Sequence, residues 1–162
     1  MKIIKFLLIA LAAISFGCEE EEASFDNVAQ LAEDLQAIDK YINDNNLTSD
    51  TLHHWTGIRY IINEKGSGIR AKEGDQIEVE YEGRFLTDEI FDSGVFGDDP
   101  PIVLNLVSMI PGWYFMCQEM DEGDKFTIFL PSQFGYGQRG SGNSIPPNTP
   151  LIFDMKMLKV GE

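Results

Sequence analysis

The sequence predicts an α+β chain: a twisted antiparallel β-sheet wrapped around one short α-helix, preceded by an N-terminal amphipathic helix. Three patterns predict it. Between Asp26 and Asn45 the apolar residues Val28, Leu31, Leu35, Ile38 and Ile42 recur at the three-and-four spacing of one helix face. Beyond Thr56 the period shortens to two: Ile77, Val79 and Tyr81 alternate with Gln76, Glu78, Glu80 and Glu82, and Phe126, Ile128 and Leu130 alternate with Lys125 and Thr127. Trp113, Met116, Cys117 and Met120 then return to helical spacing, which turns the apolar face of one short helix inward.

The elements follow in chain order. Lys2 and Lys5 form a positive start, and Phe6 to Ile14 an apolar stretch too short to span a bilayer, so residues 1–17 read as an export signal and are set apart from the fold. Ser15-Phe16-Gly17-Cys18 resembles a bacterial lipoprotein cleavage site, with Cys18 lipidated as the first mature residue, although the lipobox usually has Leu where Ser15 stands. The alternative is a soluble secreted protein cleaved near Ala13 or Ser15. Residues 18–25 contain Glu19 to Glu22, whose mutual repulsion suits a solvated tether. Residues 26–56 form the helical extension, and the Asn-Asp-Asn-Asn run at 43–46 ends its helix. The main domain covers 57–162, with further strands expected near 57–64, 90–92, 102–106 and 150–159. Gly66-Ser67-Gly68, Glu73-Gly74-Asp75 and Glu122-Gly123-Asp124 supply the turns between strands.

Composition excludes several functions. A chain of 162 residues holds one main domain with a real core, and a net charge of −15 with no basic stripe repels phosphate backbones, so no nucleic acid is expected as a partner. Cys117 has no second cysteine to pair with once Cys18 is used by lipid, and its apolar neighbours make it a core residue. No nucleophile elbow, phosphate loop or zinc motif occurs. The adjacent His53 and His54 make a poor metal pair, because successive strand residues face opposite ways. No cofactor and no metal are expected.

Function is carried instead by aromatic and apolar clusters bounded by glycines: Val79-Glu80-Tyr81-Glu82-Gly83, Ile90-Phe91-Asp92-Ser93, Ile110-Pro111-Gly112-Trp113, Phe134-Gly135-Tyr136-Gly137, Ile145-Pro146-Pro147 and Leu151-Ile152-Phe153-Asp154. Their order and spacing resemble the FKBP family of peptidyl-prolyl cis-trans isomerases over residues from about 57 to 160. The resemblance implies a shallow apolar pocket for a proline ring, with Trp113 as floor and Tyr81, Phe91 and Phe153 as aromatic walls. It places Met109 and Ile110 just before the floor, with the Ile110 N–H as donor to a ligand carbonyl. Tyr136 is then the rim hydroxyl, Ile145 the flap residue facing it, and Asp92 the one acidic group at the edge. Ile102 stands where the family often has phenylalanine and Met109 where it often has valine, and the segment from Ile102 to Gly112 looks about two residues shorter than usual.

The resemblance implies proline-containing protein segments as substrates, macrolide inhibitors of the FKBP class as ligands, and assistance to the folding of exported proteins. With the export signal it implies a bacterial cell-envelope protein, lipid-anchored in the outer membrane and facing the periplasm. The acidic run at 19–22 also resembles the surface-export signals of some Bacteroidetes-type lipoproteins. A non-catalytic chaperone or scaffold that holds proline-rich segments is the competing function. The 26–45 helix is expected to dock on its own domain, since two heptads are fewer than a coiled coil needs.

Overall fold

The computed structural model describes residues 19–94 and 101–161, with side chains from Asn27 onward. The expected export signal and Cys18 lie outside these residues. Among the described residues the first element is helix α1 (Glu19–Asp44), followed by strands β1 (Leu52–His53), β2 (Arg59–Glu64), β3 (Gln76–Phe85), β4 (Ile90–Gly94) and β5 (Ile102–Asn105). Helix α2 (Pro111–Cys117), β6 (Lys125–Leu130) and β7 (Leu151–Val160) come next. Helix α1 therefore already includes Glu19, ahead of the expected Asp26. Glutamate is a good helix former, and negative residues suit a helix N-terminus, so the run expected as a tether continues the helix.

All strand pairs are antiparallel, in the order β1-β2-β6-β7-β3-β4, with β5 also paired to β3. β3 is the hub. β7 runs along one of its sides, while β5 pairs with its first half and β4 with its second. The two-residue strand β1 was not expected; it caps the edge of β2.

Alternation along the strands builds two cores. Phe126, Ile128 and Leu130 of β6 and Leu151, Phe153, Met155 and Met157 of β7 face α2, where Trp113, Met116 and Cys117 are buried. Met120 is buried with them, but in the turn after the helix, its N–H donating to the Cys117 carbonyl at 3.1 Å. The intervening Phe129 and Ile152, with Ile61 of β2, point to the opposite face and are covered by Ile38 and Ile42 of α1. The extension helix thus docks on its own sheet. Its buried stripe differs from the expected one at the start: Val28 is 67% exposed, whereas Asp34 is only 2% exposed. Polar contacts fix the helix further, with Arg59 gripping both carboxylate oxygens of Asp39 at 3.0 and 3.2 Å and the Tyr41 hydroxyl donating to Asp88 at 2.7 Å.

Candidate active site

The site lies where β3, β4, β5 and α2 meet. Tyr81 projects from β3 and Asp92 from β4, and the Tyr81 hydroxyl donates to the Asp92 carboxylate at 2.7 Å. Two glycines make room for the aromatic rings. A Cβ at Gly94, opposite Tyr81 in the ladder, would sit 2.4 Å from the Tyr81 ring and 2.3 Å from Ile102 Cδ1. One at Gly83 would sit 2.6 Å from Phe91 and 2.9 Å from Phe153. Side chains at either position would displace the rings, because carbon atoms in contact sit about 3.5–4.0 Å apart.

Helix α2 brings the floor. Pro111 at its first turn is preorganised for helical φ, and Gly112 allows the turn to lie against Leu130 and the Phe134 carbonyl, which a Cβ would approach to 2.6 and 2.9 Å. Trp113 follows, 5% exposed, with its ring edge-on to Tyr81 at 4.8 Å and to Phe153 at 5.3 Å. These distances suit the attraction between ring edges and faces. Ile110 precedes the helix with its carbonyl engaged by the N–H groups of Trp113 and Tyr114, while its own N–H donates to no described residue.

These residues enclose an open cleft of about 310 Å³, lined by Tyr81, Asp92, Ile102, Leu104, Ser108, Met109, Ile110, Trp113, Tyr136 and Phe153. Eight of the ten residues expected in the site line it. Phe91 does not: it stacks edge-on behind Phe153 at 5.7 Å, in the space Gly83 leaves open. Ile145 does not either. Ser141 and Ile145 pair in an isolated bridge, and the Ile145 side chain is buried in the core, 5% exposed. Leu104 and Ser108 were not expected. Leu104 follows Ile102 by two on the same face of β5, so its signal was the strand period itself. Ser108 closes a helical turn whose start is capped by the Asn105 side chain, and no motif marked it.

The cleft is apolar with one carboxylate. Burial raises the Tyr81 phenol well above its ordinary value, and the hydrogen bond to Asp92 raises it further, so Tyr81 is a fixed neutral donor. Burial and the Asp92 charge also raise Tyr136. Burial pushes the Cys117 thiol up to about 12, which makes it an inert core residue.

Sequence comparison decides the family. Residues 67–158 match the FKBP-type peptidyl-prolyl cis-trans isomerase family, more than half of the chain. The chain belongs to the FKBP family. A probable FKBP-type peptidyl-prolyl cis-trans isomerase FkpA of Neisseria meningitidis serogroup B is 37% identical over 106 residues, 65% of this chain and 39% of that one. An FK506-binding protein of Neisseria meningitidis serogroup A is 39% identical over 100 residues, 61% of this chain and 92% of that one. Among solved structures, a peptidyl-prolyl cis-trans isomerase of Pseudomonas syringae pv. tomato superposes with a TM-score of 0.69 at 28% identity, over 81% of this chain and 96% of that one. The chain spans about two fifths of the length of several curated FKBP relatives, the FkpA proteins among them. The family match begins at residue 67, so α1, β1 and β2 precede the matched FKBP region.

Proposed function

We propose that this FKBP catalyses cis-trans isomerisation of X-Pro bonds in protein segments, with the proline ring on Trp113. The observation that carries the reading is the floor and walls together: Trp113 held edge-on by Tyr81 and Phe153 at the base of an open apolar cleft. Amide resonance sets a barrier of about 18–20 kcal/mol to the rotation. Twisting the bond localises the nitrogen lone pair and reduces charge separation, so an apolar cleft stabilises the twisted amide relative to water. No bond breaks and no proton leaves. A thousandfold acceleration needs only about 4 kcal/mol of preferential stabilisation. Burial of one proline ring supplies part of it, and donors at the cleft edge, the Ile110 N–H and the Tyr136 hydroxyl, supply the rest through the substrate carbonyls. Asp92 acts through Tyr81, whose ring it holds against the floor.

Steady-state isomerisation of a short X-Pro peptide by the full chain tests the reading. Turnover should be abolished by a macrolide of the FKBP class, which would occupy the same cleft. Binding of proline-containing peptides without turnover would replace this reading by the holding chaperone.

The same proposal places the protein in the bacterial cell envelope, anchored through lipid on Cys18 in the outer membrane and facing the periplasm. Support comes from the Lys2, Lys5 and Phe6–Ile14 pattern ahead of Gly17-Cys18, and from a relative named outer membrane protein MIP in Legionella longbeachae, 32% identical over 105 residues. Cys18→Ser should move the protein to the soluble fraction or leave an uncleaved precursor. Unchanged processing and fractionation would overturn the anchor.

A further inference from the structure

Asp34 interrupts the apolar stripe of α1. Leu31, Leu35, Ile38 and Ile42 share its face, yet Asp34 is 2% exposed in their midst. A buried carboxylate is costly unless its oxygens are met by donors. Both oxygens are met: Gln30 Nε2 donates to one at 2.9 Å, and the backbone N–H of Ser132 donates to the other at 2.7 Å.

Ser132 is 98 positions away in the sequence and lies just past β6, after Pro131. Its N–H is beyond the strand ladder and buried, so without Asp34 it would be an orphaned donor. The Ser132 carbonyl in turn accepts from the Gly135 N–H at 2.9 Å, and the next residue is Tyr136 on the cleft rim. Two consecutive hydrogen bonds therefore connect α1 to the residue before the rim tyrosine. From the inner side Gly112 of α2 lies against the Phe134 carbonyl, so the 131–135 segment is held between the two helices. A second contact from α1 reaches the turn just beyond Tyr136, where Gln138 Nε2 donates to Asn27 Oδ1 at 3.4 Å.

We propose that Asp34 is a positioning residue for Tyr136: the helix outside the family-matched region sets the height of the rim hydroxyl through the Ser132 N–H. The inference rests on the isomerase reading for its kinetic consequence and not for its structural one. Asp34→Ala and Asp34→Ser remove the carboxylate. Asp34→Asn keeps an acceptor for Ser132, with the Gln30 amide rotating to offer its oxygen to the new N–H₂ group.

The test measures amide exchange by NMR and kcat/KM on one peptide in the full chain, with Tyr136→Phe introduced into each background. In Asp34→Ala, exchange at Ser132 and Gly135 should rise by an order of magnitude or more while the β6–β7 ladder stays protected. The value of kcat/KM should fall about fivefold, the net worth of one hydrogen bond. Tyr136→Phe should matter in the wild type and in Asp34→Asn, and change turnover by less than about twofold in Asp34→Ala, because the hydroxyl is already misplaced. If Asp34→Ala does not fold, Asp34→Ser carries the same expectations. Unchanged Ser132 exchange, or an equal Tyr136→Phe effect in every background, would reduce Asp34 to a packing residue. If the wild type shows no turnover, the isomerase reading falls. Ser132 exchange alone then decides whether Asp34 holds the segment.

Discussion

Gly94 offers a way to deform the cleft without substituting any residue that lines it. It lies at the end of β4 opposite Tyr81, and its φ is not positive, so alanine there is tested on space alone. The added methyl would sit 2.4 Å from Tyr81 Cε1, so the ring must retreat by about 1 Å to reach ordinary contact distance. Ile102 Cδ1, at 2.3 Å, can rotate away; the phenol cannot, because Trp113 and Phe153 back it. A displacement of that size breaks the 2.7 Å bond to Asp92 and pushes Tyr81 toward the floor. Overpacking should cost about 1–3 kcal/mol of stability, measured as a lower urea midpoint with an unchanged slope. Loss of the hydrogen bond and of the cleft's shape should lower kcat/KM by about tenfold or more in peptide isomerisation, with native circular dichroism retained. Wild-type turnover in Gly94→Ala, with the expected loss of stability, would show that the Tyr81 position does not govern the site.

Three other perturbations separate the parts of the molecule. Trp113→Ala removes floor and core together and should cost about 3–5 kcal/mol along with activity, whereas Tyr136→Phe should keep the urea midpoint and lower kcat/KM modestly. Asp121 is held down to about 2, first by the hydrogen bond from Arg70 and then by that from Lys65, so its contribution is present above the ordinary carboxylate range and lost as pH falls toward 2. Acid unfolding of Asp121→Asn should accordingly show a shallower loss of stability below about pH 4 than the wild type, read by equilibrium urea titrations. Deleting residues 1–44 should expose Ile61, Phe129 and Ile152, each worth about 1.5–3 kcal/mol when buried, and should produce dye binding and a lowered melting temperature even if the FKBP region still folds.

Much of this was legible in the sequence because strict periods survive tertiary packing. The Ile77-Val79-Tyr81 alternation became β3, and Trp113, Met116 and Cys117 became the buried face of α2. The site residues could be ordered from the resemblance, and Tyr81, Asp92, Trp113, Tyr136 and Phe153 do meet at one cleft. That Phe91, expected as a wall, sits off the cleft lining was not legible, since a strand period says which face a side chain takes and not whether a neighbour such as Gly83 leaves a recess for it. Nor was the burial of Ile145, which lies in a loop with no period to read. The second core was visible but unread. Ile128-Phe129-Leu130 and Leu151-Ile152-Phe153 are unbroken apolar runs, which signal strands buried on both faces, not one. The charge at Asp34 was a second unread sign. A carboxylate at an i+3 position of an apolar stripe needs a buried donor, and that donor lay across the fold.

The two cores are joined rung by rung, which explains why a helix on the outer face bears on a cleft on the inner one. Ile128 pairs with Phe153, Phe129 with Ile152 and Leu130 with Leu151 along the β6–β7 ladder. Phe153 is a cleft wall, and its chain neighbour Ile152 is covered by α1. The backbone that carries Phe153 is therefore confined from both sides: inward by Trp113 and Phe91, outward by the packing of Ile38 and Ile42 over Ile152 and Phe129. An apolar cleft that works by shape has few polar anchors of its own, here the Tyr81–Asp92 bond. Its geometry must come from packing, and close-packed interiors transmit displacement readily. In this chain the extension helix supplies that confinement on the outer face, and Asp34 extends it to the rim.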